Sequence, residues 1–339
     1  MTWYAVDAID DALEATQSFL WPFDRGRWAR LAVVAFFLGG IGGANPLQLG
    51  SSTSGGTDAP APPGDPGPSG PPAPSEVLSS IGGAELAIVA AIVVVVAALA
   101  VGFLFVGSVM EFVFVDSLRR EDVTIRRYWR EHWRRGLRLF GFRLVLGIAT
   151  LAVVGLLLAV VLAPVVLGGN ILGLGLLLLV VPLLVLLSVV VGLVNGFTTM
   201  FVVPVMLVES RAVVSAWRRF WSTLTGEWKQ YAVYAVIGFV LQLAGGIVAG
   251  LATLVGALVV AIPLGIVGLL GAGLLTVVPV AGWVVIGIAV VVFGLAVVVL
   301  TLFVSVPVQT YLRYYALFVL GDTNDAFDVI ADRRRAVRE

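Results

Sequence analysis

Residues 171–194 read ILGLGLLLLVVPLLVLLSVVVGLV, a run made almost entirely of apolar residues. It carries no charged side chain and is longer than the ~20 apolar residues that span the hydrocarbon core of a bilayer as an α-helix. A second run, AIVAAIVVVVAALAV at residues 87–101, has the same character. A membrane-spanning β-strand would alternate apolar and polar residues, and neither run does so. Both stretches therefore predict transmembrane α-helices.

The composition of the whole chain indicates that lipid is its solvent. Of the 339 residues, 60% are hydrophobic and 12% are charged, and the mean hydropathy is +1.05. One soluble core cannot bury so much apolar surface. Cysteine is absent, which excludes disulfides, thiolate metal sites and thiol nucleophiles. The predicted fold is all-α, a polytopic transmembrane helical bundle that forms a single membrane domain over residues 1–339.

The basic residues are confined to five places: Arg25–Arg30, Arg119–Arg143, Arg211–Lys229, Arg313 and Arg333–Arg338. Basic segments of membrane proteins stay on the cytoplasmic side, so an even number of crossings must separate successive clusters. The intervening apolar stretches predict about six transmembrane helices in three tandem hairpins. Both chain termini are expected in the cytoplasm of a plasma-membrane protein.

The three hairpins differ in how their helices are connected. In the first, helices at residues 31–49 and 83–115 are separated by residues 50–80, a Pro/Gly/Ser-rich segment that we predict to be a disordered external loop. In the second, residues 168–170 are the expected outer turn. In the third, residues 230–312 suit either two helices joined by a re-entrant or interfacial piece at 260–283, or four tight helices.

A short amphipathic helix precedes each hairpin, and a fourth occupies the C-terminal tail. Such helices lie flat at the headgroup boundary with their apolar side toward the lipid. In the first of them, Val6 and Leu13 recur on the apolar side. The four predicted interfacial helices cover residues 5–20, 120–135, 211–224 and 322–338.

The hairpin exits also repeat. Residues 110–116 read MEFVFVD and residues 203–209 read VPVMLVE, so each exit ends in an acid. Glu111 takes the place of Pro204 in this alignment, and Pro307 occupies it in the third unit. Parallel repeats of this kind occur in transporters, but they also build plain bundles.

Glu111 is the candidate functional residue within the membrane. A carboxylate in an apolar transmembrane run is costly and faces a partner or a water path. The alternative is that Glu111 reaches the interface or pairs with a nearby arginine such as Arg119.

The cluster of arginines that follows predicts contacts with anionic lipid headgroups, although retention on the cytoplasmic side alone would explain it nearly as well. His132, the sole histidine, is expected to pack at the interface, because no second histidine or cysteine lies nearby. We expect no catalytic residue, no metal, no cofactor and no nucleic-acid partner. The predicted headgroup contacts are Arg126, Arg127, Arg130, Arg134 and Arg135.

Several stretches carry a family resemblance. The stretches EFVFVDSLRRED (111–122), RRYWREHWRRGLRLFGFRL (126–144) and VPVQTYLRYYALFVLGDTNDAFDVI (306–330) resemble an uncharacterised family of multi-pass membrane proteins from halophilic archaea. Residues 208–231 are similar, more loosely, to the interfacial helices of the bacterial YciC-like and glycerophosphodiester-phosphodiesterase membrane-domain families. The resemblance implies the plasma membrane of an archaeon with a high-salt cytoplasm, and it brings no catalytic residue.

Two functions remain open on the sequence. The first is a non-enzymatic membrane scaffold or accessory factor that organises lipids, protein partners or further copies of itself. It rests on the concentration of polar residues at the cytoplasmic interface. The second is a small-solute transporter or channel, which rests on the repeat, the prolines and Glu111. An enzyme is disfavoured because the apolar spans offer almost no converging titratable groups.

Overall fold

The computed structural model describes residues 4–39, 83–166 and 170–339, with side chains for all of them except 83, 164–166 and 170–174. All regular secondary structure in these ranges is helical. A π-helical turn follows the fifth helix at Thr198–Val202, and a 3-10 turn follows the ninth at Asp325–Phe327. The helices are α1 (Tyr4–Leu20), α2 (Arg25–Gly39), α3 (Gly83–Arg120), α4 (Ile125–Val166), α5 (Asn170–Phe197), α6 (Val203–Glu209), α7 (Val213–Gly226), α8 (Trp228–Leu274), α9 (Pro279–Thr323) and α10 (Ala331–Arg338).

Five helical spans in the described residues are long and apolar enough to cross a membrane, which confirms the predicted fold class at that level. Helix α2 begins at Arg25, and its residues 31–39 form the start of the predicted first span, whose remainder lies outside the described residues. The predicted loop at 50–80 and most of the turn at 168–170 also lie outside them. The five spans are Ala84–Arg120, Ile125–Ala163, Gly175–Glu209, Trp228–Leu274 and Pro279–Thr323.

The third hairpin is made of two very long helices. Helix α8 continues through Pro263 to Leu274, and α9 begins at Pro279 after a short turn. Neither the re-entrant piece nor the extra pair of helices that we considered for 260–283 is present. An unsatisfied backbone group is costly in an apolar surrounding. A continuous helix is therefore favoured here, although the glycines within residues 260–283 would favour breaks in water. A Cβ at Gly282 would lie only 2.8 Å from the Gly271 carbonyl oxygen, which shows how closely the helices meet near the turn.

The buried core lies at one end of the molecule, which we call the charged end. It contains residues of α1, α2, α6 and α7, the π-helical turn, the last turns of α3 and α9, and the first turns of α4 and α8. Beyond it few side chains are buried, since at most 11% of the residues in the most apolar window of each span are buried. Helices α8 and α9 still pack on each other there, and a Cβ at Gly256 would clash with the Leu300 side chain. The spans are 35–47 residues long and a bilayer needs only ~20, so the surplus length forms the charged end.

Helix α1 packs on α9 through a face of alanines that the sequence analysis did not identify. Ala5, Ala8 and Ala12 are fully buried, and the Tyr315 hydroxyl donates a hydrogen bond to the Ala5 carbonyl at 2.9 Å. Small side chains permit this close approach. Val6 and Leu13, the predicted lipid-facing residues, remain 49% exposed. Helix α1 therefore has one face for protein and another available to the interface.

The other predicted interfacial segments take different forms. Residues 211–224 correspond to the separate helix α7, whereas most of 120–135 forms the start of α4, which runs on into the span without a break. The tail at 322–338 comprises the end of α9, the 3-10 turn and α10. It is fastened to α1 by Arg338, whose guanidinium contacts the Asp11 carboxylate at 2.7 Å.

Candidate functional site

Glu111 lies at the centre of a buried ion cluster. Its side chain is on the last turns of α3, where the helix is enclosed by α4, α9 and the π-helical turn, and the residue is 2% exposed. Its Oε1 accepts a hydrogen bond from Arg143 Nη2 of α4 at 3.1 Å, and its Oε2 accepts one from Arg313 Nη2 of α9. Arg143 and Arg313 are 8% and 3% exposed. We call these three residues the buried ion cluster.

The π-helical turn supplies the remaining acceptors of the cluster. Thr199 Oγ1 accepts a hydrogen bond from Arg143 Nη2 at 2.7 Å, and the Thr199 carbonyl accepts one from Arg313 Nη1 at 2.5 Å. In this turn the Val203 amide donates to the Thr198 carbonyl, five residues back. The next residue, Pro204, has no amide hydrogen to give to Thr199. The proline therefore leaves the Thr199 carbonyl free for an arginine, as π-turns at functional sites commonly do.

The three repeat units meet at this cluster. Glu111 comes from the first hairpin, Thr199 lies five residues before Pro204 in the second, and Arg313 lies six residues after Pro307 in the third. The aligned position, occupied by Glu111, Pro204 and Pro307, is thus close to the place where the helices of the three units contact one another. The repeat predicted this alignment, but the convergence of the units appears only in three dimensions.

The surroundings of Glu111 agree with one of the two simple explanations offered by the sequence, pairing with arginine, but with other arginines than Arg119. Its burial excludes a carboxylate that reaches out to the interface, and its partners are Arg143 and Arg313, while Arg119 is exposed. A buried ion pair needs close geometry and further hydrogen bonds to offset the cost of removing both charges from water. Thr199 provides such bonds. No water path to Glu111 is needed to explain its position.

A second polar network lies one turn further along α3. Asp116 Oδ2 contacts His132 Nε2 at 3.0 Å, and both side chains are buried. Arg135 Nη1 lies 3.1 Å from His132 Nδ1, and because an arginine can only donate, this contact fits a ring that carries its hydrogen on Nε2 and donates it to Asp116. His132 thus packs inside the charged end and joins α3 to α4.

Asp116, Glu131 and His132 bring three potential metal-binding atoms within 4.8 Å of one another. Arg120 contacts both carboxylates at 3.1 Å, and Arg135 occupies the other ring nitrogen of His132. The positive charges of Arg120 and Arg135 beside these side chains would repel a metal cation. The donor set is therefore better explained as a network of hydrogen bonds and ion pairs.

Apart from Arg143, the arginines of α4 divide into two groups. Arg135 is directed toward protein, because its Nη2 donates to Ser210 Oγ at 2.9 Å in addition to its contact with His132. The second group is exposed and makes no ion pair with any described carboxylate. Trp133 and Leu137, both more than 40% exposed, lie beside it. This exposed arginine face consists of Arg126, Arg127, Arg130, Arg134 and, in addition to the predicted set, Arg138.

Comparison with known proteins places residues 3–330 under a model described as a family of unknown function, DUF7544. The match covers nearly the whole chain, and it agrees with the predicted resemblance to an uncharacterised family. Neither the curated proteins nor the solved structures gave a match.

Proposed function

The chain belongs to this family of unknown function, and we propose that it is a multi-pass plasma-membrane scaffold or accessory protein without enzymatic activity. In this proposal it has six transmembrane helices in three hairpins, with the charged end in the cytoplasm. The resemblance to proteins of halophilic archaea supports a cell with a salt-rich cytoplasm. The spans are largely free to contact lipid, partner helices or a second copy of the chain.

The exposed arginine face is the observation that carries this proposal. Its five guanidinium groups have no carboxylate partner in the described chain, and they lie on the first turns of α4, at the charged end, before the helix continues into its lipid-facing part. A basic residue near an anionic membrane surface contributes ~1 kcal/mol of attraction. Exposed Trp133 beside these arginines suits the headgroup region, where tryptophan is favoured. We propose that this face binds anionic lipid headgroups.

Titration with a fluorescent phosphatidylglycerol in neutral detergent tests the proposal, with phosphatidylcholine as the uncharged reference. The test variant changes four arginines of the face to glutamine, and we expect it to bind phosphatidylglycerol on the order of a thousandfold more weakly. A matched control removes four exposed cations that also make no ion pair with the described residues, and it should change binding far less. Equal losses in the two variants would show that only total charge matters. The test set is Arg126, Arg127, Arg130 and Arg134, and the control set is Arg25, Arg119, Arg218 and Lys229.

Transport of a small solute is the second candidate, and the buried ion cluster beside a π-helical turn favours it. Glu111 is enclosed at the junction of all three repeat units, where a change in its partners would move α3, α4 and α9 together. Proteoliposomes provide the test. Wild-type flux of any solute, abolished in an equally well folded Glu111→Gln protein, would support transport, and no flux across a broad panel would count against it.

A further inference from the structure

We propose that the buried ion cluster is an anion site, in which Nη1 of Arg143 holds one singly charged anion. This inference is separate from the exposed arginine face, which lies on the part of α4 that precedes Arg143. It rests on the charge balance of the cluster, on its unused hydrogen-bond donors and on its place along α4.

The charge balance leaves one positive charge in excess. Arg143 and Arg313 share a single carboxylate, that of Glu111. The next carboxylate along α3, that of Asp116, is already engaged by Arg120 and His132. A charge removed from water without a partner is costly. One bound anion would bring the cluster to neutrality.

The hydrogen bonds of Arg143 leave a donor unused. Its Nη2 serves both Glu111 and Thr199, whereas its Nη1 is buried and has no partner among the described residues. A buried N–H without an acceptor is destabilising, and more so when it is charged. A water molecule would satisfy the hydrogen bond but not the charge, whereas an anion satisfies both.

The position of Arg143 defines which anions can reach it. It follows the exposed arginine face on α4 and precedes Val145, which is 69% exposed among the lipid-facing residues. The guanidinium thus lies where α4 passes from charged to apolar surroundings. A halide from solution and the phosphodiester of a lipid headgroup share the required chemistry, which is a single negative charge on a good acceptor.

Thermal unfolding of the full chain in neutral detergent tests the site. Sodium chloride is compared with sodium gluconate at equal ionic strength, so that general screening cancels. Phosphatidylglycerol is then added in gluconate alone to the fourfold variant of the exposed arginine face, with and without Arg143→Gln, so that binding to that face does not contribute. The wild type should show a saturable rise of its midpoint with chloride, or the fourfold variant should show one with the lipid, because a ligand that binds only the folded state stabilises it. A response to chloride assigns the site to a free anion, and a response to the lipid in gluconate assigns it to a headgroup.

Arg143→Gln removes the excess charge and should abolish this response. Arg218→Gln, which removes an exposed arginine on α7, should retain it, and so should the fourfold variant of the exposed arginine face when chloride is tested. An Arg143→Gln protein that responds like the wild type would overturn the inference, as would a wild type that shows no anion-specific rise. If Arg143→Gln does not fold, crystals of the wild type soaked in bromide test whether an anion binds at this site. Anomalous density within hydrogen-bonding distance of Arg143 Nη1 supports the site, and water alone at that position refutes it.

Discussion

Glu111 is the residue on which the charge balance of the buried ion cluster depends, because it accepts hydrogen bonds from both Arg143 and Arg313. Removing one member of a buried ion pair costs ~3–5 kcal/mol. We therefore expect Glu111→Gln to lower the free energy of unfolding by about this amount, measured by denaturant unfolding in detergent. Glu131→Gln, which removes a 43% exposed acid, should cost less than ~1 kcal/mol. Equal losses would show that the cluster contributes nothing beyond an exposed pair.

Single residues also show how much of the buried ion cluster could be predicted from the sequence. Glu111 was identifiable because a charge in an apolar run is rare. Its partners were not, since Arg143 closes a basic segment and Arg313 lies 202 residues away. One signal was present: Arg313 is the only basic residue between Lys229 and Arg333. An isolated charge in an otherwise uncharged hairpin should be paired with another isolated charge, here Glu111.

Helices α3 and α4 approach each other closely at Gly136. A Cβ at this position would lie 2.5 Å from Val109 Cγ2 and 2.8 Å from Val109 Cα, so the backbone itself would have to move. Overpacking of this kind costs ~1–3 kcal/mol, and we expect that loss in the free energy of unfolding of Gly136→Ala. Gly141 on the same helix has open space around it. Gly141→Ala should therefore be neutral or stabilising by up to ~1 kcal/mol, and a loss comparable to that of Gly136→Ala would contradict the proposed approach.

The C-terminal tail offers a prediction for pH. Burial raises the pKa of Asp328, although the positive charge of Arg334 opposes the shift. A raised pKa means that the folded chain holds this proton more tightly than the unfolded chain, so the stabilisation it gives is complete below the usual value of 3.8. It is lost as the pH rises through the raised value. Asp328→Asn resembles the protonated form, and we expect it to weaken this decline in the free energy of unfolding with pH.

At neutral pH the Asp328→Asn protein should be within ~1 kcal/mol of the wild type or more stable. Asp322→Asn is the contrasting change, because that carboxylate contacts Arg334 at 2.9 Å and Arg338 at 2.7 Å. Its loss should cost ~1–3 kcal/mol. If Asp328→Asn lowers the free energy of unfolding more than Asp322→Asn does, burial is not the main influence on the pKa of Asp328.

At the scale of helices, the sequence predicted the apolar spans better than their ends and contacts. The small-residue pair Gly246 and Gly250 has open space around both members, whereas Gly245 and Gly256 meet side chains of α9. Spacing alone could not separate these cases in a chain with 39 glycines. The alanine face of α1 was missed for a similar reason, because a buried alanine leaves little hydrophobic signal.

The orientation of the whole molecule is open to a direct test, since the chain has no cysteine of its own. Ser222→Cys places a thiol on the exposed surface of α7 at the charged end, and Ser69→Cys places one in the predicted external loop. The positive-inside rule predicts that a membrane-impermeant maleimide labels only Ser69→Cys in intact cells, and that Ser222→Cys reacts after permeabilisation. Labelling of Ser222→Cys in intact cells would reverse the topology.

The whole molecule was predictable to the level of an all-helical chain with several spans, because hydropathy alone requires it. The gathering of nearly all buried side chains at one end was not. It depends on the spans being much longer than a bilayer needs, and no sequence pattern marks where lipid contact stops and protein contact begins. Uncharged residues continue through that boundary in α3, α5 and α9.

The separation of Glu111 from its partners orders events during biosynthesis. Arg143 emerges from the ribosome 32 residues after Glu111, whereas Arg313 follows only after 202. The first and second hairpins can thus form a neutral Glu–Arg pair early. The last hairpin must then deliver a second guanidinium into an apolar site that is already occupied. Nascent chains arrested before Arg313 should carry that early pair, and the final crossing completes the cluster.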